Sequence, residues 1–215
     1  SLEKFLKRLT FLVMKIGDLY RQAFSPSLAA LLTVLILMFY RVSFNSYFEG
    51  DEWVYFRFFV ETIRSAYWPI EGFLKYFRPL DAAQLHITPI TDTFFIFQYR
   101  FLQLNFQFYL ICSLLLLIGT SLAFAKFVHS FTGSKQLALL STLFFALNAT
   151  HSQAVTWVIA AVNTQLPVML GFLSLIYLIA DPQKIKRRYL YSAICLLLAL
   201  WSKETAVLFL LMTPI

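Results

Sequence analysis

Six consecutive residues, Phe48-Glu49-Gly50-Asp51-Glu52-Trp53, put three carboxylates beside a strongly apolar run in a chain that has few charges elsewhere. Ionisable groups in such a setting need a partner or a task. Adjacent carboxylates suit proton abstraction, with Asp51 as the general base and Glu52 supporting it. Cations placed at the ends of apolar runs could stabilise negative charge at such a site. Arg78, placed before Pro79, and Lys203, at the end of an apolar run, fill that role, with Arg100 and His151 as further sources. Plainer roles stand beside these. Asp51 could serve only as a helix N-cap with Glu52 solvated, and Arg78 and Lys203 could snorkel to headgroups. Glu204 could simply neutralise Lys203. His86 and His151 suit satisfied polar positions better than metal ligation, because no second His or Cys lies at ligand spacing.

The elements that must carry these residues follow from composition. The chain is 60% hydrophobic, 18% aromatic and 13% charged, with mean hydropathy +0.71, values outside the range of soluble domains. Apolar runs recur along nearly the whole length, which implies an all-α, polytopic membrane protein. The net charge of +7 comes from basic clusters flanking apolar runs, an orientation signal and not a nucleic-acid face. Cys112 and Cys195 lie inside apolar runs and read as small buried hydrophobes.

Residues 1–24 form the first unit, an amphipathic interfacial helix on the cytoplasmic side: Phe5, Leu9, Leu12, Ile16 and Tyr20 share one face, and Lys4, Lys7, Arg8 and Lys15 the other. Residues 25–215 form the second unit, with about six spans. Ser25-Pro26-Ser27 starts the first span, from Ser27 to about Phe44. A long segment, Asn45 to about Asn105, has no clean span; within it Trp53, Phe56, Val60, Ile63 and Tyr67 predict an interfacial helix over Asp51–Tyr67, and Pro69, Pro79 and Pro89 break the remainder into short pieces. Later spans are expected at Phe106–Val128, Gln136–Asn148, Val155–Ala180 and Tyr189–Trp201, with a sixth from about Ala206. The last is cut off by the chain end, as in a fragment of a longer protein. Asp181 to Arg188 carries the strongest positive-inside signal. From a cytoplasmic N-terminus, alternation places the three basic clusters inside and Asp51, His86, His151, Lys203 and Glu204 outside.

With that arrangement the chain resembles the GT-C membrane glycosyltransferases, in particular the dolichyl-phosphate-mannose protein mannosyltransferases and their tetratricopeptide-linked relatives. Asp51-Glu52 stands where that family keeps an acidic catalytic motif in its first extracytoplasmic loop. Phe77-Arg78-Pro79-Leu80, His86-Ile87-Thr88-Pro89-Ile90 and Tyr99 to Asn105 are similar to its proline segments and the lead-in to its second span. Ala146 to Trp157 resembles a segment that usually carries His-Pro, then His, one residue and Glu; here Asn148-Ala149 and Gln153 replace the His-Pro and the Glu, while His151 is retained. Leu200 to Ala206 is similar to its Ser-Lys-Glu-Thr segment.

The resemblance implies an inverting transfer of a sugar from a polyprenyl-phosphate donor to an acceptor on the extracytoplasmic face. Asp51 and Glu52 would be catalytic, and Arg78, His86, His151, Lys203 and Glu204 would bind substrate or lipid phosphate. The expected partners are membrane lipid, the lipid-linked sugar and a protein, lipid or glycan acceptor, without nucleic acid. With only Asp51, Glu52 and Glu204 as ligands, no obligatory divalent metal or other cofactor is expected. A bacterial inner membrane is the expected location, with the endoplasmic reticulum as the alternative. Two other functions fit the pattern: a transporter with a charged vestibule, and a non-catalytic membrane scaffold of the same fold, which the Asn148, Ala149 and Gln153 departures leave open. The Asn148-Ala149-Thr150 sequon lies too near a span end for ready glycosylation.

Overall fold

The computed structural model describes residues 26–48, 50, 52–54, 56, 57, 60, 88–148, 153–181, 183, 185 and 187–213. The expected amphipathic helix over residues 1–24 lies outside them, as do Asp51, Arg78, His86, His151 and much of the Asp51–Tyr67 segment. Every regular element among the described residues is helical. Helix α1 is Pro26–Phe39, followed by a 3-10 turn at Arg41–Asn45. The described residues between 52 and 60 are helical as well. Next come α2 (Pro89–Leu102), α3 (Phe106–Thr132), α4 (Lys135–Ala146), the single turn α5 (Gln153–Thr156), α6 (Val158–Ile179) and α7 (Arg188–Ser202). A 3-10 turn at Glu204–Ala206 leads into α8 (Val207–Leu211).

Two of these helices, α3 and α6, are long and apolar enough to cross a membrane. At 27 and 22 residues they measure about 40 and 33 Å, against a hydrocarbon core of about 30 Å. Three further apolar helices, Ala29–Phe39, Lys135–Ala146 and Arg188–Ser202, are shorter.

Helix α6 is the central member, packed along α3 on one side and α7 on the other. Small and hydroxylated residues permit the close approach. Thr120 donates to the Leu116 carbonyl of its own helix at 2.8 Å and to the Gln165 carbonyl of α6 at 3.2 Å. Ser174 donates to the Ser192 carbonyl of α7 at 3.0 Å. Gly171 accepts the ring of Phe209 from α8 directly against its backbone, where a Cβ would collide. Pro167 lies inside α6 and removes one amide donor from the helical ladder without ending the helix.

The turns follow local chemistry. Gly133, at φ 70°, ends α3 in the left-handed conformation and donates to the His129 carbonyl. The Ser134 hydroxyl then caps α4 by accepting from the Leu137 amide at 3.2 Å. After α6, the Arg188 guanidinium donates to the Ala180 carbonyl at 2.7 Å and lies over the Tyr189 ring. That cation meets the carbonyl end of α6, where the helix dipole favours it.

Candidate functional site

The acidic knot is anchored by the aromatic residues around it. The Phe48 ring packs edge-on against Phe56 at 4.8 Å, Phe106 at 5.3 Å, Tyr109 at 5.4 Å and Trp53 at 5.7 Å between centroids. Phe106 and Tyr109 belong to the first turn of α3, so this cluster fastens the segment after α1 to the start of α3. Phe56 also meets Tyr99 near the end of α2. Edge-to-face geometry is favoured by the ring quadrupoles and adds to the burial of large apolar surface.

Glu52 makes the second attachment. Its side chain is 1% exposed, and Oε1 accepts a hydrogen bond from the Val158 amide at 2.9 Å. Trp157 explains why that amide is available. Its extended backbone, at ψ 92°, interrupts the helical ladder between α5 and α6, so Val158 turns its N–H to a carboxylate 106 residues earlier in the chain. The first amides of a helix lack intrahelical partners and lie at the positive end of its dipole, where a carboxylate is well matched.

Around this clasp lies a cavity of about 440 Å³ lined by Ser46, Tyr47, Gly50, Glu52, Gln153, Thr156 and Trp157. Gly50 and Glu52 are the chain neighbours of Asp51, and both line it. Gln153 and Trp157 come from the segment that links α4 to α6. One cavity therefore unites the knot with that segment, which the sequence separates by about a hundred residues. Among the described residues, no group of three or more His, Cys, Asp or Glu could hold a metal ion.

Lys203 and Glu204 lie elsewhere and do not line this cavity. They follow α7, whose Ser202 carbonyl accepts from the buried Thr91 hydroxyl of α2 at 2.8 Å. Helix α2 thus runs from the end of α7, at Thr91, towards the aromatic cluster, at Tyr99, about 12 Å further along its axis. Arg100 is exposed on the same helix. The sequence reading missed Asp92, one residue after Thr91. Burial pushes its carboxyl from the ordinary 3.8 up to about 7, and Thr88 donates to it across 3.4 Å. The available signal was an acidic residue in the first turn after Pro89, a usual helix start. Also unforeseen was the role of Ser46 as a cavity wall.

Among the described residues the fold and site define an all-helical arrangement with two helices of membrane-spanning length and a carboxylate clasp at one helix start. No protein-family model matches the chain, and neither a curated protein nor a solved structure matches it.

Proposed function

We propose that the protein is an inverting glycosyltransferase of polytopic GT-C-like architecture. It moves a sugar from a polyprenyl-phosphate donor to an acceptor on the extracytoplasmic face of a membrane. The observation that carries this reading is the Glu52–Val158 hydrogen bond, which ties Glu52 to the start of α6 beside a cavity of catalytic size. In the proposed reaction Asp51 takes the proton of an acceptor hydroxyl. The acceptor oxygen forms a bond to the anomeric carbon from the face opposite the phosphate, and the C–O bond to phosphate breaks with its electron pair leaving on the lipid phosphate. Glu52, the next residue in the chain, is the proposed anchor for Asp51. Arg78 and His151 are the proposed partners of the departing phosphate, with His86 as a supporting contact; Lys203 and Glu204, expected to join them, do not line this cavity.

The test is incubation of the full-length protein, in sealed vesicles of either orientation, with radiolabelled polyprenyl-phosphate sugars and a membrane extract. Label should pass to an acceptor only where the extracytoplasmic face meets the donor. Label accumulating inside vesicles without a glycosylated product would support transport instead. That second reading draws on Pro167 and the buried Asn163 Oδ1, which has no hydrogen-bond partner among the described residues, since transporters place interrupted helices and polar groups at mid-membrane. Against it, α6 continues unbroken through Pro167 and carries no charged residue.

A further inference from the structure

A second and larger cavity, of about 820 Å³, adjoins the first and shares Ser46 and Tyr47 with it. It lies between the turn leaving α1 and the tight link that joins α2 to α3. Its lining has an unusual balance. Among the described residues that line it there is no Asp, Glu, Lys, Arg or His. Four amide side chains, Asn45, Gln103, Asn105 and Gln107, line it, all solvent-exposed and none hydrogen-bonded to another described residue. Four rings with open surface, Tyr47, Trp53, Phe101 and Phe108, line it as well, from 50% to 80% exposed.

This lining selects among ligand classes. Among these described wall residues a phosphate or sulfate would find no cation, and an amine no carboxylate. A lipid tail would strip water from four amides and give them nothing in return. A neutral ligand bearing many hydroxyls and flat C–H faces satisfies both kinds of wall. Each amide offers paired donors and an acceptor to hydroxyls, and each ring offers an apolar face. The volume lies in the range of about 300–1,000 Å³ usual for ligand pockets. The backbone beneath is held in place. Gln103 adopts φ 50° and ψ −128°, a conformation costly for a residue with a Cβ. It is retained because the Tyr109 hydroxyl donates to its carbonyl at 2.8 Å and its own amide donates to the Tyr99 carbonyl at 3.0 Å. Strain kept at a cavity wall fixes where that wall sits.

We infer that this cavity is a binding site for a neutral oligosaccharide, and that the oligosaccharide is the acceptor whose terminal hydroxyl reaches the adjoining Glu52 cavity past Tyr47. The acceptor role rests on the glycosyltransferase reading, whereas the sugar-binding site does not. The donor is a poorer match because its phosphate would meet no cation among the described residues of the wall.

Saturation-transfer NMR on the full chain in nanodiscs tests it, with mannotriose, maltotriose and chitotriose as probes and trigalacturonate and inorganic phosphate as comparators. At least one neutral trisaccharide should bind with saturation passing from aromatic protons. Tyr47→Ala, Phe101→Ala and Gln107→Ala alter exposed side chains, and each should weaken binding by about tenfold while circular dichroism stays unchanged. The inference is overturned if no neutral trisaccharide binds, if these variants bind as tightly as wild type, or if trigalacturonate or phosphate binds equally well at the same residues. Displacement of the trisaccharide by a short-chain polyprenyl-phosphate sugar would make the cavity a donor site and overturn the acceptor role. Trisaccharide binding by a wild-type protein that transfers no sugar would leave the site and remove the glycosyltransferase reading. Transfer to a peptide or lipid without trisaccharide binding would do the reverse.

Discussion

Glu52 illustrates how one side chain can hold a site together without standing at its reactive point. Its carboxylate is buried against the first amide of α6, and a hydrogen bond to a charged group contributes about 1.5–3 kcal/mol. Glu52→Ala should therefore lower stability by about that amount. Glu52→Gln keeps an oxygen for the Val158 amide and should lose less than half as much, read from thermal melts in the same detergent. Equal losses in the two variants would mean that packing, and not the hydrogen bond, retains Glu52. Asp92 makes a different prediction. Its carboxyl is raised by burial to about 7, so the folded protein holds a proton that the unfolded chain releases around the ordinary value of 3.8. The stabilisation is complete below that ordinary value and is lost as pH rises through about 7. The slope is at most about 1.4 kcal/mol per pH unit. Asp92→Asn should remove that decline, and an unchanged pH profile of melting in Asp92→Asn would contradict it.

At the scale of elements, some of the architecture was legible and some was not, for identifiable reasons. The α3–α4 turn was readable because Gly133 and Ser134 act locally: one supplies a left-handed conformation, the other a hydroxyl cap. The helix α3 extends to Thr132, past the expected Val128, because nothing before Gly133 stops it. By contrast α2 was not foreseen as a 14-residue helix. Pro89 was read as a breaker, whereas at the first position of a helix proline is favoured. The expected run from Val155 to Ala180 divides at Trp157 because its Val158 amide has a partner 106 residues away, and no local pattern carries that information. The expected first span to Phe44 ends as a helix at Phe39 and continues as a 3-10 turn. Helix packing makes its own prediction at Gly171, whose missing Cβ admits the Phe209 ring. Gly171→Ala should cost about 1–3 kcal/mol, and Phe209→Leu should restore much of it in the double variant. Additive losses would show that the two sites do not touch.

For the whole molecule, the apolar composition led directly to an all-helical chain with helices of membrane-spanning length, because only satisfied backbones tolerate lipid. The site was legible in part. Residue types announced the acidic knot, but its attachment to α6, the larger cavity beside it and the position of Lys203 beyond α2 are products of tertiary packing. What the molecule assembles is a clasp, Glu52 on Val158, fixed over an aromatic base formed by Phe48, Phe56, Phe106 and Tyr109. In the proposed reaction catalysis falls to Asp51 and positioning to Glu52. The measurement that tests this division most directly is sugar transfer by Asp51→Asn and Glu52→Gln beside wild type, with the melting temperature of each recorded. Asp51→Asn should lower transfer by about 10²–10⁴-fold with melting unchanged, while Glu52→Gln retains measurable transfer. Wild-type rates from a folded Asp51→Asn protein would contradict the account.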